Sequence, residues 1–438
     1  MNNSLNVKQC DVLIIGAGLA GLTAGLKLQR MGRQVMIVDK RRQVGGLCGT
    51  FQLDDYEFVI ACNDFGSGLI DLLRSLGVGV EFIHKKTLIY YKNQFYDAAP
   101  SLATVWHLRH HWRDLLSLAT AIARRIFSSS EPVTIEDFID LHTQQGPVND
   151  LAKVFCYFMG APPYDMMTSF FGLDKEYGYG YNRMACPVGG PQKLVDAIAE
   201  ELTRQGGIIL LDSAYLGHRK DQGFVVDVSH NGQQQCILAD NLVNTAEQSE
   251  AYPDDTKRGL PLSMMCVVVD SDFSYPENVH TLCYYESNIS EWFRDLDQGK
   301  KPREFGFHVF SSDLNQAVDY YTLNVYFYLP RGQNSLTSQD SESYKEYLLN
   351  RVEYMLPGIN KAIRYTEIIT PERFKEIHDL SSRVMPYISY PYKPSNIGQE
   401  QGLYFAGHTV YPPGEHAGAA ALSGYLVADK ILESHTKQ

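Results

Sequence analysis

The chain has 438 residues, 44% hydrophobic and 21% charged, with a formal net charge of −12. That length is too great for one ordinary core and points to two domains. The acidic balance lacks the basic footprint of a nucleic-acid partner and offers no polybasic membrane anchor, and no apolar run approaches the roughly 18 residues of an integral membrane span.

The N-terminus, MNNSLNVKQC, has no charged segment followed by an apolar one, so no secretory signal is expected. Eight cysteines are scattered singly, without a C-x-x-C pair or zinc spacing. No metal is expected, and reduced, mostly buried thiols point to the cytoplasm.

The stretch DVLIIGAGLAGLTAGLKLQRMGRQVMIVDKRRQVGGLCGT is the most informative. Val12 to Ile15 predict a central parallel strand buried on both faces. Gly16, Gly18 and Gly21 complete G-x-G-x-x-G, with Leu19 and Ala20 opening a helix that has Leu22, Leu26 and Leu28 on its apolar side and ends at Gly32. A second strand runs to Asp39, 18 residues past Gly21. Gly16 permits a tight turn, Gly18 lets backbone approach a pyrophosphate, and Gly21 lets helix pack on strand. The helix N-terminus offers N–H groups to phosphates, and Asp39 offers a carboxylate to ribose hydroxyls. After Lys40, a second glycine turn holds Gly45, Gly46 and Leu47.

Residues 100–180 read as mostly helical. WHLRHHWRDLLSLATAIARRIF forms one long amphipathic pattern, and Thr134 with Asp137 predicts a helix start. This helix carries Arg109, Arg113, Arg124 and Arg125 with Trp106 and Trp112. It reads as a scaffold or lid, with peripheral membrane contact as the alternative. Next come a Pro-x-Gly-Gly turn (Pro187 to Gly190), a helix and a strand carrying Ala214. EFGFHVF and YYTLNVYFYLP alternate with period two, which predicts antiparallel strands with one covered face. Tyr326, Tyr328 and His308 are candidates for a pocket wall. Near the end, AGHTVYPPGEHAGAAALSG passes from a central strand into a helix of small residues beginning near Ala417.

In this order, these segments resemble the superfamily of FAD-dependent amine oxidases, phytoene desaturases and protoporphyrinogen oxidases. Gly45-Gly46 matches its extended fingerprint, although glutamate is usual where Asp39 stands. The resemblance implies a discontinuous α/β FAD-binding domain of Rossmann type (1–90, 184–250 and 375–438). An α+β substrate domain with an antiparallel sheet and a helical insertion would fill 91–183 and 251–374. It further implies non-covalent FAD held by Gly16, Gly18, Leu19, Ala20, Gly21, Asp39, Lys40, Gly45, Gly46, Leu47, Ala214, Gly407, His408, Gly414, Ala417, Gly418 and Ala419. A helix N-terminus at the flavin's N1/C2 edge would favour the charge that reduction puts there.

The C-terminal loop departs from that pattern at two places. His408 stands where an acid is usual, and Glu415 where amine oxidases carry a cage tyrosine. PLSMMCVVVD lacks the lysine that oxidases often carry, and with MGAPPYDM (Met159 to Met166) this favours the desaturase-like branch. The implied activity is hydride transfer from a C–H of a small, largely hydrophobic substrate to flavin N5, forming C=C or C=N, with O2 or another acceptor reoxidising the flavin. Glu415 and His416 are candidate proton acceptors; Tyr411 and Tyr390 are candidate aromatic walls. The alternatives are an amine or amino-acid oxidase using O2, and a non-redox flavin-dependent isomerase.

Overall fold

Two seven-stranded sheets organise the computed structural model. It describes residues 8–62, 65–99, 101–127, 131–158, 160–168, 184–246, 259–311, 314, 319–380, 393–412 and 416–436. In the first sheet, Ile208–Leu210, Val35–Val38, Lys8–Ile15, Gln233–Asn244 and Leu403–Phe405 lie side by side and parallel. Parallel strands covered on both faces must be apolar throughout, and Val12, Leu13, Ile14 and Val35 to Val38 are all buried. The strand Gln233–Asn244 is long enough to serve twice. Its first half pairs antiparallel with Phe224–His230, which in turn pairs with Ser213–Lys220, and its end pairs with Leu403–Phe405.

The helix Leu19–Arg30 and the C-terminal helix Ala417–Thr436 share the core over this sheet. They touch at backbone distance. A Cβ on Gly424 would stand 2.1 Å from the Ala20 carbonyl oxygen, so only glycine permits this crossing.

The second sheet runs in the order Ile363–Ile369, Leu262–Asp270, Tyr320–Tyr328, Phe307–Ser311, Val279–Tyr284, Lys86–Tyr91, Gln94–Asp97. All its pairings are antiparallel except that between Val279–Tyr284 and Lys86–Tyr91. Residues 86–90, expected at the end of the first cofactor segment, therefore run in this second sheet, held by that parallel pairing.

The expectation of one covered face also needs correction, because Tyr320–Tyr328 is buried on both faces for most of its length. One face meets the helix Ser338–Met355, where Phe327 stacks on Tyr344. The other meets the hairpin Thr50–Leu53/Tyr56–Val59. There Thr322, Asn324 and Tyr326 donate to the carbonyls of Glu57, Val59 and Ile60 at 3.0, 2.9 and 3.0 Å. The polar residues of the alternating pattern thus bind a neighbouring backbone rather than water.

The long amphipathic pattern divides into the helices Leu102–His107 and Trp112–Ile126 around one turn, Arg109–His111. Leu108 is buried at the break while the next five residues are exposed. Thr134 caps Ile135–His142 as expected, its Oγ1 accepting from the Asp137 N–H at 3.1 Å. Among the described residues, no helix is long and apolar enough to cross a membrane.

Candidate cofactor and active site

The two glycine turns lie side by side. Gly18 and Gly45 form a parallel bridge, and the Gly45 N–H donates to the Ala17 carbonyl at 2.8 Å. Gly16 holds φ +103°, where a side chain is strained, and a Cβ there would meet Thr245 Oγ1 at 2.2 Å. Gly21 sits one turn into the helix, its missing Cβ 2.0 Å from the Gly16 carbonyl oxygen. Gly18, by contrast, has only glycine backbone near its missing Cβ, at 4.0 Å. The two turns form a cradle of bare backbone at the helix N-terminus, a geometry that suits a pyrophosphate.

Asp39 ends the second strand and is buried. Its Oδ2 accepts from the Ala17 N–H at 2.7 Å and its Oδ1 from the Arg41 N–H at 2.8 Å. A carboxylate has about four lone-pair sites, so acceptor capacity remains for hydroxyls. Ser213 donates to the Asp39 carbonyl at 2.8 Å, which brings the following Ala214 alongside. Arg41 reaches across to the Gly46 carbonyl at 3.0 Å and ties the acid to the second glycine turn. Lys40 turns outward to Asp379 at 3.0 Å. Leu47 is half-buried, and its carbonyl accepts from the Cys62 N–H at 3.1 Å.

At the other end, the strand Leu403–Phe405 delivers Ala406 and Gly407, with Gly407 at φ +134°. Ser423, on the last helix, accepts from the Gly407 N–H at 3.1 Å and donates to the Tyr411 carbonyl at 2.8 Å. Asn396 donates to the Phe405 and Tyr411 carbonyls at 3.0 and 2.7 Å. This pair of buried polar side chains holds the loop by its main chain. Tyr411 is anchored there, half-buried. Ala417, Gly418 and Ala419 are buried in the first helical turn, where N–H groups lack partners inside the helix.

His416 occupies the residue before that helix, and its Nδ1 accepts from the Ala419 N–H at 3.3 Å. A ring with Nδ1 accepting carries its proton on Nε2. His416 therefore caps the start of this helix through Nδ1. Lys393 donates to the His408 carbonyl. Burial, and then the charge of Lys393, push both His408 and His416 down to about 3. Both stay neutral in the folded chain, whereas unfolded histidine takes a proton below about pH 6.5. Their contribution to stability is thus full above about pH 6.5 and is lost as pH falls toward 3. The slope in that window reaches about 1.4 kcal/mol per pH unit for each ring. Unfolding free energy measured from neutral to acid pH should fall less steeply in His408→Gln than in wild type, and equal slopes would contradict this placement.

Of the expected pocket residues, Tyr326 and Tyr328 are buried, with hydroxyls committed to the carbonyls of Ile60 and Tyr157 at 3.0 and 3.4 Å. The hairpin and the Tyr157 helix pack against this face. His308 is half-buried, bonded to the Tyr157 hydroxyl at 3.1 Å and stacked on Tyr326. Gly414, Glu415 and Tyr390 lie outside the described residues.

A family model for flavin containing amine oxidoreductases matches residues 19–432. The chain belongs to that family. It is 22% identical, over 515 aligned residues, to the 4,4'-diaponeurosporene oxygenase of Staphylococcus aureus (strain MRSA252), covering 97% of this chain and 99% of that one. Two solved structures are similar in fold. One is an oxidoreductase from Methanosarcina mazei, with a TM-score of 0.69 at 15% identity, covering 96% of this chain and 100% of that one. The other is putrescine oxidase bound to putrescine, with a TM-score of 0.64 at 15% identity, covering 98% of this chain and 100% of that one.

This flavin amine oxidoreductase is a flavin-dependent oxidoreductase, and its cofactor is FAD. The residues fit the group. The cradle's shape depends on packing that a Cβ on Gly16, Gly21 or Gly45 would break, while Gly18 has only glycine backbone, at 4.0 Å, near its missing Cβ. At the other end, the buried His408 Nε2 has no partner among the described residues, as suits a polar group brought by a ligand. Arg41, Lys393, Asn396 and Ser423 were missed in the sequence. Only the isolated lysine in YPYKPSN, just ahead of the last strand, carried a signal there.

Proposed function

We propose that this oxidoreductase takes hydride from a C–H bond of a largely hydrophobic substrate and leaves a C=C bond. The supporting observation is the composition of the second sheet. Its four central strands, Leu262–Asp270, Val279–Tyr284, Phe307–Ser311 and Tyr320–Tyr328, hold no lysine, arginine or glutamate. Their one acid, Asp270, stands at a strand end bonded to Arg364. A charged substrate group buried there would lack a countercharge, which is costly. The name of the 22%-identical relative, a diaponeurosporene oxygenase, agrees with an apolar substrate.

FAD, when bound non-covalently, supplies the hydride acceptor. The chain supplies the rest. Apolar walls exclude water and orient the substrate, while His308 with Tyr157 gives the sheet face a polar point. The Ala417 helix N-terminus and Lys393 bring positive potential to the end of the cradle near His408 and His416. Glu415, outside the described residues, is assigned the departing proton, because the His416 Nδ1 is occupied by its cap. We assign the cofactor domain to 1–85, 184–250 and 375–438, and move 86–90 to the substrate domain with 91–183 and 251–374. That none of the eight cysteines is in a disulfide supports a cytoplasmic setting.

The test is product analysis. Holoprotein in mixed micelles with a partly saturated polyene should yield a product lighter by two hydrogens. Unchanged polyene, with putrescine or cyclohexylamine oxidised instead, would overturn the reading.

A further inference from the structure

We propose that Cys48 and Cys62 form a reversible disulfide at the base of the Thr50–Leu53/Tyr56–Val59 hairpin, a redox modification site beside the second glycine turn. The hairpin's ladder runs on past its strands. The Ile60 N–H donates to the Gly49 carbonyl at 2.9 Å, and the Cys62 N–H to the Leu47 carbonyl at 3.1 Å. With Thr50 paired to Val59, this register sets Cys48 opposite Ala61, one residue from Cys62. Opposed Cα atoms in such a ladder stand about 4.5–5.5 Å apart and the rise is about 3.4 Å per residue, so the two cysteine Cα atoms are roughly 6 Å apart, inside the span of a disulfide. The thiols already meet, because contact with Cys62, ahead of burial, pushes the Cys48 thiol up. Burial leads the same shift at Cys10, Cys156, Cys266 and Cys283, with no second thiol acting there.

The two cysteines differ in access. Cys48 is 2% exposed whereas Cys62 is half-buried, so a small oxidant reaches Cys62 first. That oxidant is hydrogen peroxide, the product formed when O2 reoxidises a reduced flavin. Peroxide gives one oxygen to the Cys62 sulfur, making a sulfenic acid, and leaves as water. The Cys48 sulfur then displaces the hydroxyl. The S–S bond forms, the S–O bond breaks, and the Cys48 proton leaves with the hydroxyl as a second water. One peroxide is reduced and two thiols are oxidised. The attacking species is a thiolate, so the raised Cys48 thiol makes the second step the slower one. Closure acts on the cofactor turn. The Cys48 N–H donates to the Gly45 carbonyl at 2.9 Å, and the missing Cβ of Gly45 lies 2.4 Å from the Cys48 carbonyl oxygen. A bond of about 2.05 Å in place of a thiol contact draws Cys48 toward Cys62 and moves the turn that Cys48 closes. Disulfides in a reducing compartment are transient and redox-sensing, which fits a pair that is reduced in this structure.

The test needs no turnover, so it stands apart from the substrate assignment. Holoprotein is treated with hydrogen peroxide, alkylated with iodoacetamide in urea and digested with trypsin. The peptide 43–74 carries Cys48 and Cys62 and no other cysteine. It should come out two hydrogens lighter and without alkyl groups, and should take one on each cysteine after dithiothreitol. Cys48→Ala should leave Cys62 as a sulfenic acid that dimedone traps, and Cys62→Ala should leave Cys48 reduced. Flavin absorbance before treatment reports that each variant is folded. Oxidised wild type should lose FAD faster on gel filtration than the reduced protein, while peroxide leaves FAD retention in Cys62→Ala unchanged. A wild-type peptide that keeps both thiols at peroxide that oxidises free glutathione would overturn the proposal. So would a Cys62→Ala protein whose Cys48 is oxidised as fast as in wild type. A disulfide that forms with FAD retention unaltered would remove its link to the glycine turn.

Discussion

Gly21→Ala protein is expected to purify without yellow flavin absorbance and to unfold at a lower temperature than wild type. The added Cβ would stand 2.0 Å from the Gly16 carbonyl oxygen and 3.2 Å from Ile14 Cγ2. The first neighbour is backbone held at φ +103°, so no side-chain rotation relieves the clash. Helix and strand must move apart, at a cost of about 1–3 kcal/mol or more. That movement displaces the Gly16 and Gly18 backbone from the Gly45 turn, which dismantles the cradle. Gly32→Ala is the control. It also stands at positive φ, +81°, but nothing lies within 4 Å of its missing Cβ. It should cost only about 1–2 kcal/mol of backbone strain and keep its flavin. Full flavin content in Gly21→Ala, read as the ratio of flavin to protein absorbance, would contradict the packing described.

The second large effect is expected at Asp39. Titrating FAD into deflavinated protein should give Asp39→Ala an affinity lower by roughly a hundredfold, since a hydrogen bond to a charged acceptor contributes about 1.5–3 kcal/mol. The same change orphans the N–H groups of Ala17 and Arg41. Each buried orphan costs about 1–3 kcal/mol, so the apoprotein should be less stable as well. Asp39→Asn keeps an acceptor for one of the two and should lie between. Asp39→Glu, the superfamily's usual acid, should come closest to wild type. Equal FAD affinity in Asp39→Ala would remove this residue from the cofactor site.

The nucleotide end was legible because its chemistry is written in backbone. Tight turns and close helix crossings demand glycine, and Gly16, Gly21, Gly45 and Asp39 announce themselves by spacing. The substrate side was less legible for two physical reasons. Period two gives the alternation of Tyr320–Tyr328 but not what covers each face, and the Thr50–Val59 hairpin that accepts from Thr322, Asn324 and Tyr326 is about 265 residues away. The clamp of Asn396 and Ser423 and the approach of Lys393 to His408 are tertiary contacts with no periodic signature. His416 was a candidate base by its place in the loop just ahead of the last helix. Its enclosure beside Lys393 and its capping bond to Ala419 are tertiary features that the sequence does not display.

The most direct test of the account is anaerobic mixing of holoprotein with an apolar polyene, without added reductant, while the flavin band is followed. Bleaching of the band in step with a product two hydrogens lighter is the predicted result. A flavin that stays oxidised while the substrate rearranges at constant mass would contradict it, and would make the protein an isomerase that holds FAD without passing electrons.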